Sequence, residues 1–207
     1  MGRDKMYELL GDYNLLIRRR TARKPITTNS NHPFYKYKNL AKEMTLTRAN
    51  QLWVSDITYL RVNSSFCYLS LITDAFSRKI VGYHLAANLK TEGPLAALTM
   101  ALRNYDPQNN SSVVHHSDRG LQYCCGEYIK TLSDHNVHVS MSQNGDPYEN
   151  ALAERMNCTL KYDFNLHKIF KSIAELSSTV DQAVFNYNNL RPHLSLKMLT
   201  PQAVHSQ

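Results

Sequence analysis

The 207-residue chain contains no CxxC pair: its four cysteines are Cys67, Cys124, Cys125 and Cys158, two of them adjacent. That arrangement argues against a zinc knuckle and against a disulfide framework, so buried, reduced thiols are expected. No apolar run approaches the roughly 20 residues of a membrane span, and the first residues lack the charged-then-apolar order of a signal peptide. A membrane partner is therefore not expected, and the cytoplasm is the expected compartment. Internal repeats and low-complexity tracts are absent as well. With 43% hydrophobic and 20% charged residues, disorder is excluded and one sizeable packed domain with a small appendage is expected.

What the chain does have is a one-sided charge distribution. Residues 1–48 hold 11 Lys/Arg against 4 Asp/Glu, while residues 49–207 hold 13 of each, so the net +7 lies wholly in the first quarter. A segment that grips phosphates, set beside a core that needs local acidity, has this signature. The densest part is Arg18, Arg19, Arg20, Arg23 and Lys24, followed by a helix-poor linker. A solvated linker would explain the charge alone, but Tyr35 and Tyr37 interleave with Lys36 and Lys38, and aromatics can stack on bases. A boundary is expected near 45–50.

Residues 4–17 read as a short helix capped near Gly11. From Leu52 the texture changes: 52–61, 66–74 and 78–86 are rich in β-branched, aromatic and aliphatic residues and read as an antiparallel meander. A helix follows over 92–104, then a strand over 112–116, a helix over 121–135, a strand over 137–140 and helices over 148–164 and 172–190. Strand-strand-strand-helix-strand-helix-strand-helix is the order of a ribonuclease H-like α/β fold: a mixed five-stranded sheet flanked by helices, here preceded by a small basic helical and linker segment.

Among 17 acidic residues, three sit where a carboxylate is unusual. Asp56 lies mid-strand in Trp53-Val54-Ser55-Asp56-Ile57-Thr58-Tyr59, where an uncompensated charge is costly. Asp118 follows a short apolar strand at the point where the chain leaves the sheet, and strand ends of α/β sheets gather sites. Glu154 belongs to a helical stripe of Asn150, Glu154, Asn157 and Lys161, with Leu152, Met156 and Leu160 turned away from it. Two-metal phosphoryl transfer needs such hard oxygen ligands around metals about 3.5–4 Å apart. Asp74 is a rival on the same logic, Glu149 and Glu92 are weaker ones, and residue chemistry leaves the choice open. His115 and His116 flank the region, but oxygen-preferring metals argue against them as ligands; His116 is expected in the core or beside the ligands.

The segments around these residues carry a resemblance. Trp53-Val-Ser-Asp56-Ile-Thr-Tyr59, Leu71-Ile-Thr-Asp74-Ala-Phe-Ser-Arg78, His116-Ser-Asp118-Arg-Gly120, Pro147-Tyr-Glu-Asn150-Ala-Leu-Ala-Glu154 and Tyr187-Asn-Asn-Leu-Arg-Pro-His193 occur in order, with 35 residues between Asp118 and Glu154 and a basic residue, Lys161, seven after the glutamate. Together they resemble the integrase core of bacterial insertion-sequence transposases, relatives of retroviral integrases, over essentially all of 45–207.

The resemblance implies Asp56, Asp118 and Glu154 as catalytic metal ligands for two Mg2+ ions, with Mn2+ a substitute. It leaves Asp74 as a structural group near the site, paired with Arg78. It implies 3′-end cleavage and strand transfer of an insertion element without a covalent enzyme–DNA intermediate, the partners being DNA at element ends and target. A homo-oligomer on paired ends is implied, in a bacterial cytoplasm at the nucleoid. Lys161 and the Arg18–Lys24 cluster are candidate DNA contacts; Arg191 and His193 either pack or touch DNA. The expected division is 1–24 as the end of a helix-turn-helix region, 25–48 as a basic linker and 49–207 as the catalytic core. The family's transposases carry a full helix-turn-helix region before the core, of which only the last helix is expected in residues 1–24, so an upstream reading-frame product is a candidate partner. A non-joining metal-dependent nuclease of the same fold, or an inactive DNA-binding fragment, are the alternatives.

Overall fold

The sheet is organised around β1 (Leu52–Val62), whose residues are buried on both faces almost from end to end. In a computed structural model that describes residues 2–13, 15–16, 32–103, 105, 112–143 and 150–207, β1 pairs antiparallel with β2 (Ser65–Asp74), which pairs antiparallel with β3 (Ile80–Ala86). On its other edge β1 pairs parallel with β4 (Val114–Ser117), and β4 with β5 (His138–Met141). The order β3-β2-β1-β4-β5 is a mixed ribonuclease H-like sheet flanked by helices. A two-residue strand, β6 (Ile169–Phe170), adds a sixth member beyond the five expected, pairing in parallel with Arg61 and Val62. Two residues carry too little periodicity to be seen in a sequence.

Alternation along β1 feeds two cores, as a period of two requires. Trp53 and Ile57 face α2 (Glu92–Arg103), α3 (Leu121–Cys124) and α4 (Gly126–Asp134), packing with Leu98, Tyr123 and Leu132. Leu60 and Val62 face α5 (Ala151–Asp163) and α6 (Ile173–Asn189), packing with Met156, Leu160, Leu176 and Tyr187. Gly82 allows the closest approach: a Cβ there would collide with the Ala97 carbonyl oxygen of α2. The helix expected over 121–135 is two helices, because Cys125 is extended at ψ 148° and serves as the N-cap of α4. The α1 helix (Arg3–Asp12) buries no residue.

Residues 37–47, expected as part of a basic linker, lie on the sheet. Ala41, Met44 and Leu46 pack with Leu52, Val54 and Ala75, and the Leu40 amide donates to Ser140 Oγ. All four cysteines are free; Cys67 and Cys124 are buried, but Cys158 is exposed on α5, contrary to the expectation that they would be interior. No described helix is long and apolar enough to cross a membrane.

Asp74 closes β2 and organises the turn into β3. Its Oδ1 accepts from the Ser77 amide and Ser77 Oγ, both at 2.7 Å, and its Oδ2 from the Asn50 amide at 2.7 Å. His205 of α7 (Pro201–His205) lies 3.9 Å from Oδ1 and also bonds Ser77 Oγ. These groups make the contacts to the carboxylate, while the expected partner Arg78 feels the Asp74 charge from further away. Its residue sits at φ 66°, and its backbone amide, not its guanidinium, bonds Asp74, through the carbonyl. Burial alone would raise the Asp74 pKa, but the hydrogen bonds outweigh it and hold the carboxyl below its ordinary value.

Asp74→Asn exchanges one acceptor oxygen for a donor facing donors, and is expected to destabilise the fold by about 1–3 kcal/mol. Because the folded pKa is depressed, this contribution is present above pH 3.8 and is lost as pH falls below it, so the gap between parent and variant in urea unfolding should narrow on acidification.

Candidate active site

The site forms where two parallel strands part. β1 and β4 stay in register through Leu52↔Val114, Trp53↔His115 and Val54↔His116, and then separate. Asp56 lies two residues past Val54, and Asp118 two past His116. Equal offsets in a parallel register put both on one face at one level. Past the split, β1 has no strand neighbour on that edge, among the described residues, until Arg61 meets β6.

Helix α5 runs along this gap and supplies what a strand would have. Asn150, its N-cap, donates from Nδ2 to the Ser55 carbonyl oxygen at 3.1 Å. Asn157 donates from Nδ2 to Asp56 Oδ2 at 2.7 Å, and Lys161 sets its amino group 4.3 Å from the centre of the Tyr59 ring. The helical stripe expected from sequence thus faces β1, while Met156 and Leu160 reach the core from the same helix.

Charge is poorly compensated here. The Asp56 pKa is raised from 3.8 to about 7, first by burial and then by the negative charges of Asp118 and Glu154; the Ile57 amide and Asn157 oppose this only in part. Asp118 Oδ1 accepts from the Gly120 amide at 2.9 Å, and a Cβ on Gly120 would stand 3.0 Å from that oxygen. Glu154 is exposed in the first turn of α5.

Among the described residues, no three His, Cys, Asp or Glu side chains form a ready metal cage. The donor set nonetheless suits a hard divalent cation. Each Asp56 oxygen takes one hydrogen bond and keeps a lone pair, and the buried Oδ1 atoms of Asn150 and Asn157 have no hydrogen-bond partner among the described residues. The neighbouring histidines each commit one ring nitrogen to another group. The His115 pKa is pushed down to about 3 by burial, and its Nε2 meets the Tyr128 hydroxyl at 3.0 Å; His116 Nδ1 meets Ser140 Oγ at 2.8 Å.

Of the residues nominated from sequence, Asp56, Asp118 and Glu154 therefore lie close enough for the last two to act on the charge of the first, and Lys161 lies further along α5 over the Tyr59 ring. Asp74 is a saturated structural carboxylate, and Glu92 is exposed at the start of α2. Glu149 and the cluster Arg18, Arg19, Arg20, Arg23 and Lys24 lie outside the described residues. Asn150 and Asn157 were visible in the stripe, but their partners were not, because these depend on where α5 lies against β1. In the motif ending in His193, Asn188 clamps both the amide and carbonyl of Ile80, and Arg191 pairs with Asp163 at 2.7 Å.

Two models described as integrase core domain match residues 47–147 and 135–201. The chain is 33% identical over 205 residues to the uncharacterized 31 kDa protein of insertion element IS600 of Shigella sonnei, covering 98% of this chain and 74% of that one. It is 33% identical over 162 residues to the putative transposase InsK of IS150 of Escherichia coli K12, and 35% identical over 150 residues to the transposase of IS629 of Shigella sonnei. These cover 78% and 72% of this chain, which spans only 56% and 50% of those relatives.

In fold, the chain is similar to the HTLV-2 integrase catalytic core domain, solved in complex with magnesium (TM-score 0.60, 16% identity, 76% of this chain and 97% of that one). It is also similar to a chain in the structure of the simian T-cell lymphotropic virus intasome in complex with the PP2A regulatory subunit B56 gamma (TM-score 0.67, 17% identity, 100% and 71%). The architecture is that of an integrase-type, ribonuclease H-like core. The chain belongs to the bacterial insertion-sequence transposases that carry this core, a family of DDE-type polynucleotidyl transferases.

The raised Asp56 pKa has a measurable consequence in metal-free buffer. The folded chain holds this proton up to about pH 7, whereas an unfolded aspartate gives it up near 3.8. The folded state therefore binds more protons across that window, and stability falls as pH rises through it, by at most about 1.4 kcal/mol for each step of one in pH. Asp56→Asn should flatten this part of the pH profile and melt higher than the parent above pH 7 in the presence of a chelator.

Proposed function

We propose that this chain is the strand-cleaving and strand-joining core of an insertion-element transposase, acting on DNA through Asp56, Asp118 and Glu154 with two magnesium ions. The observation that supports this most directly is the pairing of Asp56 with Asp118 at the β1/β4 split, where burial and the Asp118 and Glu154 charges push the Asp56 pKa up to about 7. Magnesium, or manganese in its place, would supply Lewis acidity at the scissile phosphate and an oxygen nucleophile at neutral pH.

The chain's own residues do the positioning. Asn157 holds Asp56 Oδ2, and the Gly120 amide holds Asp118 Oδ1, so each aspartate keeps a fixed face toward the gap. Glu154 stands exposed on a helix anchored at Ser55 and Asp56, where an incoming duplex can reach it. Lys161, on the same helical face, would meet a backbone phosphate beside the carboxylates. Water or a 3′-hydroxyl would be the nucleophile, so the reaction calls for no covalent enzyme–DNA intermediate.

In this reading, residues 1–24 are the end of a helix-turn-helix region that contacts DNA through Arg18, Arg19, Arg20, Arg23 and Lys24. Residues 25–48 connect it to a catalytic core at 49–207. A homo-oligomer would hold paired element ends, and an upstream helix-turn-helix product would contribute end recognition. The setting is the bacterial cytoplasm, at the nucleoid.

Glu154→Gln is expected to lower cleavage of a duplex carrying an element end by at least about 100-fold, while its affinity for that duplex stays within about 2-fold of the parent. Full cleavage by the variant would overturn the assignment. Joining of a labelled 3′-hydroxyl end to a second duplex separates the transposase from a non-joining nuclease. Magnesium titration should raise the melting temperature of the parent, and Asp118→Asn should remove that rise.

A further inference from the structure

Helix α5 has a second flank that lines a cleft. Glu154, Asn157 and Lys161 face the carboxylate site, and well round the helix, at 100° per residue, Arg155 and Thr159 face a separate cleft of about 610 Å3. Arg78, Arg155, Arg191 and His193 line it, over a floor that includes Met156 and Leu152. No carboxylate lines this cleft among the described residues.

Its cations come from three directions. Arg78 is half-buried in the tight turn after β2, and its carbonyl oxygen accepts from the Tyr187 hydroxyl at 2.9 Å. Arg191 is fixed by Asp163 and sets one guanidinium nitrogen 3.2 Å from His193 Nε2. Arg155 is exposed and has no carboxylate partner among the described residues. The result is a group of guanidinium forks whose neighbouring carboxylates, Asp163 beside Arg191 and the buried Asp74 near Arg78, lie outside the lining. Burial, then Arg191 and Arg78, push the His193 pKa down to about 4, so its ring is neutral and reports the local positive field.

The cleft also continues. Arg78, Ala151 and Leu152 are shared with a neighbouring cleft of about 490 Å3 that reaches Lys42, His116 and Asn150. A small anion would need one end of this track; an extended polyanion could follow it. Arginine forks match phosphate oxygens in pairs, which a lone ammonium cannot do.

We propose that the Arg78–Arg155–Arg191 cleft binds the phosphate backbone of duplex DNA, at a site distinct from the three carboxylates and on the other flank of α5. The duplex segment it grips lies beyond the scissile phosphate. This rests on the reading of the chain as a DNA-processing protein.

The test uses the whole chain and Arg155→Gln, an exposed helical position where glutamine keeps helix propensity. Duplex binding is measured between about 50 and 200 mM salt. The variant is expected to bind several-fold more weakly at the low end, and its slope of log affinity against log salt should be shallower by about 1. In parallel, the His193 titration followed by NMR should move upward in the parent when duplex is added, and less in the variant.

If the parent binds no duplex at all, the DNA-processing reading itself fails. If the parent binds and Arg155→Gln shows the same affinity, the same slope and the same His193 titration, the cleft assignment alone is overturned. Inorganic phosphate moving His193 as far as duplex does, at equal phosphate concentration, would make this a small-anion site and also overturn it.

Discussion

The separation of β1 from β4 is the constraint on which the rest of the molecule depends. A parallel ladder that stops after Val54↔His116 leaves backbone polar groups on an open edge in the interior, and such groups must find partners. Helix α5 provides one through Asn150 to the Ser55 carbonyl, and β6 takes over at Arg61. Both devices come from chain far along the sequence, so the open edge ties the C-terminal third to the first strand. The same break frees one register level, and Asp56 and Asp118 occupy it together.

Asp56 and Asp74 make a useful contrast, since both are aspartates in neighbouring strands of one sheet. Asp74 accepts three hydrogen bonds shorter than 3 Å and is held ionised below its ordinary pKa despite full burial. Asp56 accepts two, faces two further carboxylates and is pushed up to about 7. Burial acts in the same direction on both; the donor count and the neighbouring charges decide the sign. One carboxylate therefore stabilises a turn, and the other is left with a charge deficit that a cation could relieve. Functional sites characteristically carry that kind of local conflict.

Helix α5 links these features. Its polar stripe addresses β1, its apolar residues Met156 and Leu160 enter the core, and Arg155 looks into a basic cleft closed on its far side by Tyr187 and His193. A single rigid helix thus fixes the carboxylate site relative to the cleft, and anything that shifts α5 along β1 moves both. The C-terminal motif contributes through Asn188, whose side chain bonds the Ile80 backbone like a strand neighbour and seats α6.

Much of this was legible in the residue order. The strands were expected to within two residues at each end because β1–β3 are long and their β-branched and aromatic content is strong; residue chemistry left Asp56, Asp118, Glu154 and Asp74 as rivals, and the choice of three came from the resemblance. The break at Cys125, the two-residue β6 and the docking of residues 37–47 on the sheet were not legible. Each depends on contacts between distant segments and leaves no periodic trace.

By itself the sequence determined which residue types stand at the ends of which strands, since alternation and helical stripes are local properties of the chain. Only the tertiary structure decided which of the acids would be in conflict. Asp56 and Asp74 are equivalent as residues, and their opposite pKa shifts arise from donors and charges brought in by Asn157, Asp118 and Glu154 on one side and by Asn50, Ser77 and His205 on the other.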